Sequence, residues 1–216
     1  MIEPTNITNY NRTQAELEEF LMFAIIVAGK TAKTQAEKLN KFLWTSKIIG
    51  VSPFKWLQYL VNYNDAMDDS GTLAAQLKHY KLGQYKRIEK AFRGILQFEG
   101  RLDTVSCQEL ESVDGIGSKT SRFYVLHSRP DQKVAALDTH ILKYLNEKGY
   151  NVPKTTPSNK KKYRKIELDF IAECEKAGKN VADMDLEIWK SYSKWLFSFY
   201  FSSSGFITKN MDHYEN

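Results

Sequence analysis

The stretch from Thr13 to Gly29 constrains the fold more than any other part of the chain. It reads TQAELEEFLMFAIIVAG, and Thr13 and Glu16 have the spacing of a capping box, which starts a helix. From Leu17 onward apolar residues take almost every position, so the helix has no broad polar face to turn toward water. Gly29 is suited to end it. We therefore expect this helix at the centre of the fold, covered by other helices.

The rest of the sequence is also dominated by helical periodicity. Ser52 followed by Pro53 is typical of a helix start, and apolar residues recur three and four positions apart along most of the chain. Pro153 and Pro157 interrupt the pattern and indicate a loop. Only the short segment 133–137, KVAAL, could be extended. We predict an all-α fold with about nine or ten helices.

Composition bounds the class of protein. The 216 residues carry a formal net charge of +5, which favours an anionic partner such as nucleic acid without establishing one. Cys107 and Cys174 are too few and too far apart for a disulfide framework or a zinc site, so we expect reduced thiols. The polar first residues and the short apolar run 20–29 predict neither a signal peptide nor a membrane span. We expect a soluble protein, cytoplasmic or in the nucleoid or nucleus, and not secreted.

The segment from Val113 to Leu145, VDGIGSKTSRFYVLHSRPDQKVAALDTHILKYL, carries the chemistry. Gly115 and Gly117 lie between two helical patterns and predict a tight hairpin. Exposed backbone N–H groups in such a turn, beside a helix start, can hold a phosphate oxygen. An ordinary turn between two helices has the same pattern, and the residues alone leave both interpretations open.

Lys119 and Asp138 are the candidate reactive residues. Lys119 falls in the first turn of a helix, where a positive charge is unfavourable, and a neutral amine can attack a sugar C1′ and form a Schiff base. Asp138 precedes the next helix as a preferred N-cap residue, and a carboxylate kept ionised there could stabilise a cationic sugar or move protons. A solvated lysine and a purely structural cap are the alternatives.

The motifs VDGIGSKT and LDTH, with nineteen residues from Lys119 to Asp138, resemble the helix-hairpin-helix (HhH-GPD) DNA glycosylase superfamily. This family includes endonuclease III and the 8-oxoguanine glycosylases. Segments 19–43, 82–96 and 183–195 resemble its buried helix, its G-x-Y-x-x-K-A helix and its closing helix. The resemblance implies two helical lobes with the active site and the DNA groove between them. The first lobe would span 14–127 and end in the hairpin unit at about 105–126, and the second would combine 1–13 with 128–216.

The resemblance also implies a bifunctional DNA glycosylase and AP lyase. Lys119 would attack the sugar of a flipped-out nucleotide, and Asp138 would assist. The backbone N–H groups of Gly115, Ile116 and Gly117 would bind a phosphate, with a monovalent cation at the hairpin backbone. No other metal and no organic cofactor are expected. The partner would be double-stranded DNA with a damaged or modified base, bound by a monomer.

Further DNA contacts are implied outside the hairpin. Lys30 would fill the gap left by the flipped base, Gln84 would act as a second wedge, and Lys86 would flank the groove with Arg87 and Arg93. The run NKKKYRK, 159–165, is either a DNA-backbone patch or a solvated helix face. His140 would make a structural hydrogen bond. Seven C-terminal aromatics could include one that stacks on the base: Trp189, Tyr192, Trp195, Phe197, Phe199, Tyr200 and Phe201.

Two departures from the family pattern matter. Asp114 stands where the family has proline, which places a negative charge near the expected phosphate and brings the cation or a compensating lysine into question. The sequence has no four-cysteine cluster, so the iron–sulfur centre of endonuclease III should be absent and the 8-oxoguanine glycosylases are the better match. We therefore expect 8-oxoguanine as substrate. Alternatives are an oxidised pyrimidine or a hypermodified viral base, a related base-modifying enzyme, and a non-catalytic DNA-binding module.

Overall fold

The computed structural model describes residues 2–63 and 69–203, with side chains described as far as residue 192. All regular structure in those residues is helical, which confirms the all-α prediction. The α-helices are α1 (Gln14–Ile26), α2 (Ala32–Phe42), α3 (Trp44–Ile48), α4 (Pro53–Asn62), α5 (Leu73–His79), α6 (Tyr85–Leu96), α7 (Cys107–Glu111), α8 (Ser118–Ser128), α9 (Thr139–Glu147), α10 (Lys160–Lys176) and α11 (Val181–Ser203). Short 3₁₀ helices span Pro4–Asn6 and Asp69–Gly71.

Helix α1 is central, as the sequence predicts. Thr13 and Glu16 form the capping box, every residue from Leu17 to Ile26 is buried, and α1 contacts α2, α4, α6 and α8. The helix ends at Ile26, before Gly29. Two carboxylates are buried with it. The Glu18 side chain accepts a hydrogen bond from the Phe54 N–H (2.9 Å), so it satisfies a free donor in the first turn of α4.

One local expectation differs from the structure. The periodicity of residues 32–46, AKTQAEKLNKFLWTS, predicts one helix, but it is divided at Leu43, whose φ and ψ of −90° and 2° end α2 before α3 begins. The segment 133–137 forms no strand and no helix. Both cysteines are free and buried, as expected, and burial raises the pKa of Cys174 to about 12.

The buried hydrophobic residues form two clusters. The first runs from Ile7 to Val125 and the second from Leu126 to Ile188, so the sequence changes cluster inside α8. Ile7 packs with the first cluster, although its segment was assigned to the second lobe. The division into lobes at 14–127 stays a prediction. Within the described residues, no helix is both long enough and apolar enough to cross a bilayer.

The N-terminal segment is held against α8 by Arg12. Its guanidinium donates to the carbonyls of Asn9 and His127 and lies 3.9 Å over the Phe20 ring. Burial lowers the pKa of Arg12 to about 10. This arrangement brings the N-terminal segment close to the cavity described below.

Candidate active site

The hairpin between α7 and α8 requires glycine at one of its two glycine positions. Gly115 has a φ of +87°, and a Cβ atom there would lie 2.7 Å from the Arg87 carbonyl oxygen and 3.1 Å from the Ala91 Cβ on α6. Gly117 has a φ of −103°, and a Cβ atom there would meet nothing within 4 Å. The hairpin therefore packs tightly on α6 at Gly115 and is open at Gly117.

Some backbone polar groups of the hairpin already have hydrogen-bond partners within the protein. The Ile116 N–H donates to the Val113 carbonyl (3.0 Å), so it already has an acceptor within the hairpin, and the Ile116 side chain is buried. The Gly115 carbonyl accepts from Arg87 Nη1 at 2.9 Å. Gly117 is exposed at the start of α8. Phosphate or cation binding at this backbone stays a prediction.

The acidic residue in the hairpin has a basic partner. Asp114 Oδ2 lies 3.8 Å from Lys90 Nζ on α6, and both side chains are largely exposed. Such a pair contributes little to stability, but it places a positive charge beside the carboxylate. The negative charge of Asp114 therefore has a positive charge beside it.

Lys119 and Asp138 line the same cavity, which has a volume of about 620 Å³. Lys119 is half-buried at the second position of α8, and Asp138 is the N-cap of α9. The nineteen residues between them leave α8, cross an irregular segment and return to the same cavity. The structure thus brings together the two residues that the sequence predicts as reactive.

Asp138 is both a cap and a cavity residue. Its Oδ1 accepts hydrogen bonds from the N–H groups of His140 (2.8 Å) and Ile141 (2.9 Å). Burial raises the pKa of Asp138, the charge of Lys119 opposes this, and Asp185 reinforces it. Burial therefore works against the ionised form that a helix start was expected to favour.

The irregular segment before Asp138 is fixed by side chains from elsewhere. The Tyr163 hydroxyl donates to the Ala135 carbonyl (2.8 Å) and accepts from the Leu137 N–H (2.9 Å). Glu167 accepts from the Ala135 N–H (2.9 Å), and the Thr156 hydroxyl donates to the Leu137 carbonyl (2.7 Å). Because these backbone groups are paired, the segment can be buried without a strand partner.

A buried ion cluster joins the hairpin unit to α10. Arg122 on α8 donates to Glu111 on α7 and, at 3.0 Å, to Glu167 on α10. The Arg122 side chain is 12% exposed, and the two glutamates are 6% and 0% exposed. Lys160 and Arg164 pair with the outer oxygens of Glu111 and Glu167, at 2.8 and 2.7 Å. Each buried charge therefore has an opposite partner, as burial requires.

Asp185 and Trp189 on α11 line the cavity together with Phe123 on α8. Asp185 Oδ2 lies 3.1 Å from Nε2 of the fully buried His127, whose Nδ1 lies 2.8 Å from the Thr8 hydroxyl. Sequence reasoning missed Asp185. Its spacing of four from Trp189, one turn of the same helix face, was the available signal.

The two predicted wedge residues lie at neighbouring loops. Lys30 lines the cavity and donates to the Leu82 carbonyl (3.2 Å), while Gln84 Nε2 lies 3.5 Å from the Ala28 carbonyl. Burial, followed by the charges of Lys38 and Arg87, lowers the pKa of Lys30. Gln84 is exposed with a φ of +45° at the N-cap of α6. The structure thus joins the loop after α1 to the turn before α6.

Arg87 connects this corner to the hairpin, a role that sequence reasoning missed. Its Nε donates to Gln84 Oε1 (2.7 Å) and its Nη2 to the Ile25 carbonyl (2.7 Å), besides the bond to Gly115. Burial lowers the pKa of Arg87. Lys86 next to it is exposed.

The remaining residues predicted to contact DNA have different surroundings in the structure. In the run 159–165, Tyr163 is buried, Lys160 and Arg164 form ion pairs, and three lysines are exposed, so the run is not one uniform face: Lys161, Lys162 and Lys165. His140 stacks on Tyr192, with ring centroids 5.7 Å apart. The aromatic side chains beyond Tyr192 lie outside the described residues: Trp195, Phe197, Phe199, Tyr200 and Phe201.

Comparison with solved structures shows that the fold of this chain is a known one. No family model matches the chain. It is similar to a crystal structure of Methanocaldococcus jannaschii 8-oxoguanine glycosylase/lyase in complex with 15mer DNA containing 8-oxoguanine. The identity is 22% and the TM-score 0.60, over 85% of this chain and 84% of that chain. A structure of M. jannaschii 8-oxoguanine DNA glycosylase matches at 21% identity and a TM-score of 0.60, over 88% and 84%. The chain shares their helical fold.

Proposed function

We propose that this chain is a DNA glycosylase with AP lyase activity, and that 8-oxoguanine is the base it removes. The observation that carries the proposal is the shared cavity of Lys119 and Asp138, beside a glycine hairpin. The fold supports it, because both similar structures are 8-oxoguanine glycosylases, one of them bound to DNA that contains this base.

The chemistry needs a neutral amine, a proton acceptor and an accessible sugar. The Lys119 amine attacks C1′ of a nucleotide flipped into the cavity, and the bond between C1′ and the base nitrogen breaks. The base leaves with the electron pair and takes up a proton. The new C1′–N bond becomes an imine as the sugar ring opens and its oxygen is protonated. Loss of a C2′ proton then expels the 3′ phosphate by β-elimination, which nicks the strand.

Asp138 is the proton carrier of this scheme. Its carboxyl lines the same cavity as the amine, and its raised pKa brings it closer to the range in which a carboxyl both accepts and releases protons. As the carboxylate, it also stabilises the positive charge that develops on the sugar. Its two backbone hydrogen bonds keep it in place through both roles.

The cavity suits a base that carries N–H donors. Trp189 and Phe123 offer aromatic surfaces for stacking, and the Asp185 carboxylate accepts hydrogen bonds. 8-Oxoguanine has N–H groups at N1, N2 and N7, so it can donate to such a carboxylate. About 620 Å³ is within the usual range for a small-molecule site.

Duplex DNA would lie across the hairpin and the corner of Lys30 and Gln84. Those two residues would occupy the space vacated by the flipped nucleotide. Lys86 and the open start of α8 at Gly117 would face the phosphates. The protein would act on such DNA as a monomer.

Borohydride trapping tests the proposal. The substrates are duplexes carrying 8-oxoguanine, thymine glycol, uracil or an abasic site, and wild type is compared with Lys119→Gln. We expect a covalent adduct with the 8-oxoguanine duplex and with the abasic duplex, and none from the variant. An adduct with thymine glycol in place of 8-oxoguanine would favour the pyrimidine alternative. If the wild-type protein binds duplex DNA but forms no adduct with any of these substrates, it is a non-catalytic DNA-binding module.

A further inference from the structure

A second depression adjoins the cavity. It has a volume of about 360 Å³ and shares Lys119, Thr120 and Thr156 with the cavity. One wall is the hairpin and the first turn of α8, and the other is the loop that leads into α10. We call this depression the backbone groove, and its lining residues are Glu111, Ile116, Gly117, Ser118, Lys119, Thr120, Thr156, Pro157, Ser158 and Lys160.

The chemistry of the backbone groove suits an anion. Lys119 and Lys160 supply two ammonium groups, and Ser118 and Ser158 supply hydroxyls on opposite walls. The residues at the starts of α8 and α10 both line it, so the positive ends of two helix dipoles face it.

The one carboxylate in the backbone groove does not cancel this charge. The Glu111 side chain is only 6% exposed, and one of its oxygens accepts from Arg122 while the other lies 2.8 Å from Lys160 Nζ. Arg122 already offsets the charge of Glu111. The Lys160 side chain lines the backbone groove and is 75% exposed, so the pair with Glu111 does not bury it.

We propose that the backbone groove binds the DNA phosphate next to the sugar that Lys119 attacks, with Lys160 as the charged contact and Ser158 as a hydrogen-bond donor. Because Lys119 lines both depressions, a sugar at its amine lies where they meet, and the strand leaves the cavity over the backbone groove. The proposal rests on the proposed function. It adds a second wall, formed by residues 156–160, to the phosphate contact expected of the hairpin.

Salt dependence of binding tests the role of Lys160. The probe is a duplex with a tetrahydrofuran abasic-site analogue, which offers the lysine no group to displace at C1′. Each lysine–phosphate contact contributes about 0.9 to the slope of log Kobs against log salt. We expect Lys160→Met to reduce that slope by about 0.9 and to weaken binding several-fold at low salt. Lys161→Met, the same change at the next residue, should leave the slope unchanged.

A second pair of variants avoids the ion pair of Lys160 with Glu111. Ser158→Asp places a carboxylate in the backbone groove and should weaken binding at least ten-fold. Thr155→Asp adds the same charge at an exposed residue that does not line the groove, and it should cost much less. Equal losses in this pair, or equal slopes in the two lysine variants, would overturn the proposal.

Trapping on the 8-oxoguanine duplex separates the two proposals. A wild type that traps, together with equal slopes for the two lysine variants, would refute the backbone groove alone. A wild type that neither traps nor binds would refute the glycosylase function and the backbone groove with it.

Discussion

At the scale of single residues, Asp138 combines two demands that oppose each other. As an N-cap it accepts two backbone hydrogen bonds, which favour the carboxylate. As a partly buried cavity residue near Asp185 it is pushed toward the protonated form, and the charge of Lys119 opposes this. The net raised pKa means that ionisation of Asp138 costs folding free energy at neutral pH. Active-site residues often carry such a cost.

Asp138→Asn should therefore stabilise the fold while it abolishes trapping. Asparagine is about as good an N-cap as aspartate, and it has no charge to bury. A raised pKa stabilises the fold fully below the unfolded value of about 3.9, and this contribution is lost as the pH rises through the folded value. The gain in melting temperature should thus be largest near neutral pH and should vanish in acid. Thermal melts across pH measure it.

A matched control is Asp114→Asn, because Asp114 is exposed on the hairpin. The melting temperature of this variant should differ little from that of wild type across the same pH range. A variant Asp138→Asn that melts below wild type at pH 7 and above it in acid would contradict the argument.

At the scale of elements, the hairpin is shaped by what it packs against. Gly115 is forced by its positive φ and by the Arg87 carbonyl 2.7 Å from a Cβ atom, whereas Gly117 has neither constraint. Arg87 then fastens the hairpin to α1 through the carbonyls of Gly115 and Ile25. Of the two glycines in this motif, the backbone conformation and packing therefore require only Gly115.

Gly115→Ala should destabilise the protein by about 2 kcal/mol or more, because both the strained φ and the backbone overlap must be relieved. Gly117→Ala should change the unfolding free energy by less than about 0.5 kcal/mol, since its φ is ordinary, the space is open, and the lower entropy of the unfolded chain offsets the weaker N-cap that alanine makes. Urea unfolding of both variants gives the comparison. Equal losses would mean that the hairpin is not packed on α6 as described.

At the scale of the whole molecule, the ion cluster of Arg122 holds the hairpin unit to α10. Arg122 lies between two glutamates whose side chains are only 6% and 0% exposed, so it compensates charge that is poorly solvated. The same Glu167 fixes the segment that ends at Asp138. The position of the Asp138 carboxyl therefore depends on a cluster that lies outside the cavity.

Arg122→Met should destabilise the protein by about 3–5 kcal/mol, because it leaves two buried carboxylates with exposed partners only. Arg164→Met removes another partner of Glu167, but that side chain is 51% exposed, so the loss should be at most about 1 kcal/mol. Chemical denaturation of the two variants measures the difference. Similar losses of unfolding free energy in both variants would show that burial does not determine the contribution of Arg122.

The sequence allowed the local features to be predicted and not the distant ones. The capping box of Thr13, the all-round apolar α1 and the spacing of Lys119 and Asp138 are short-range patterns, and the structure contains them. Asp185, Arg87 and Thr156 reach the site from segments far apart in the chain. No periodicity encodes those contacts, because packing of the helices alone sets them.

Helix α8 has a consequence for how the protein opens. Tyr124 and Val125 belong to the first hydrophobic cluster and Leu126 to the second, while Lys119 starts the same helix. Local opening in proteins begins where few buried contacts are lost, at frayed ends and loops. A helix shared by both clusters is the opposite case, because its release would expose apolar surface on both sides. Lys119 is thus carried by a helix whose release would cost buried apolar contacts in both clusters.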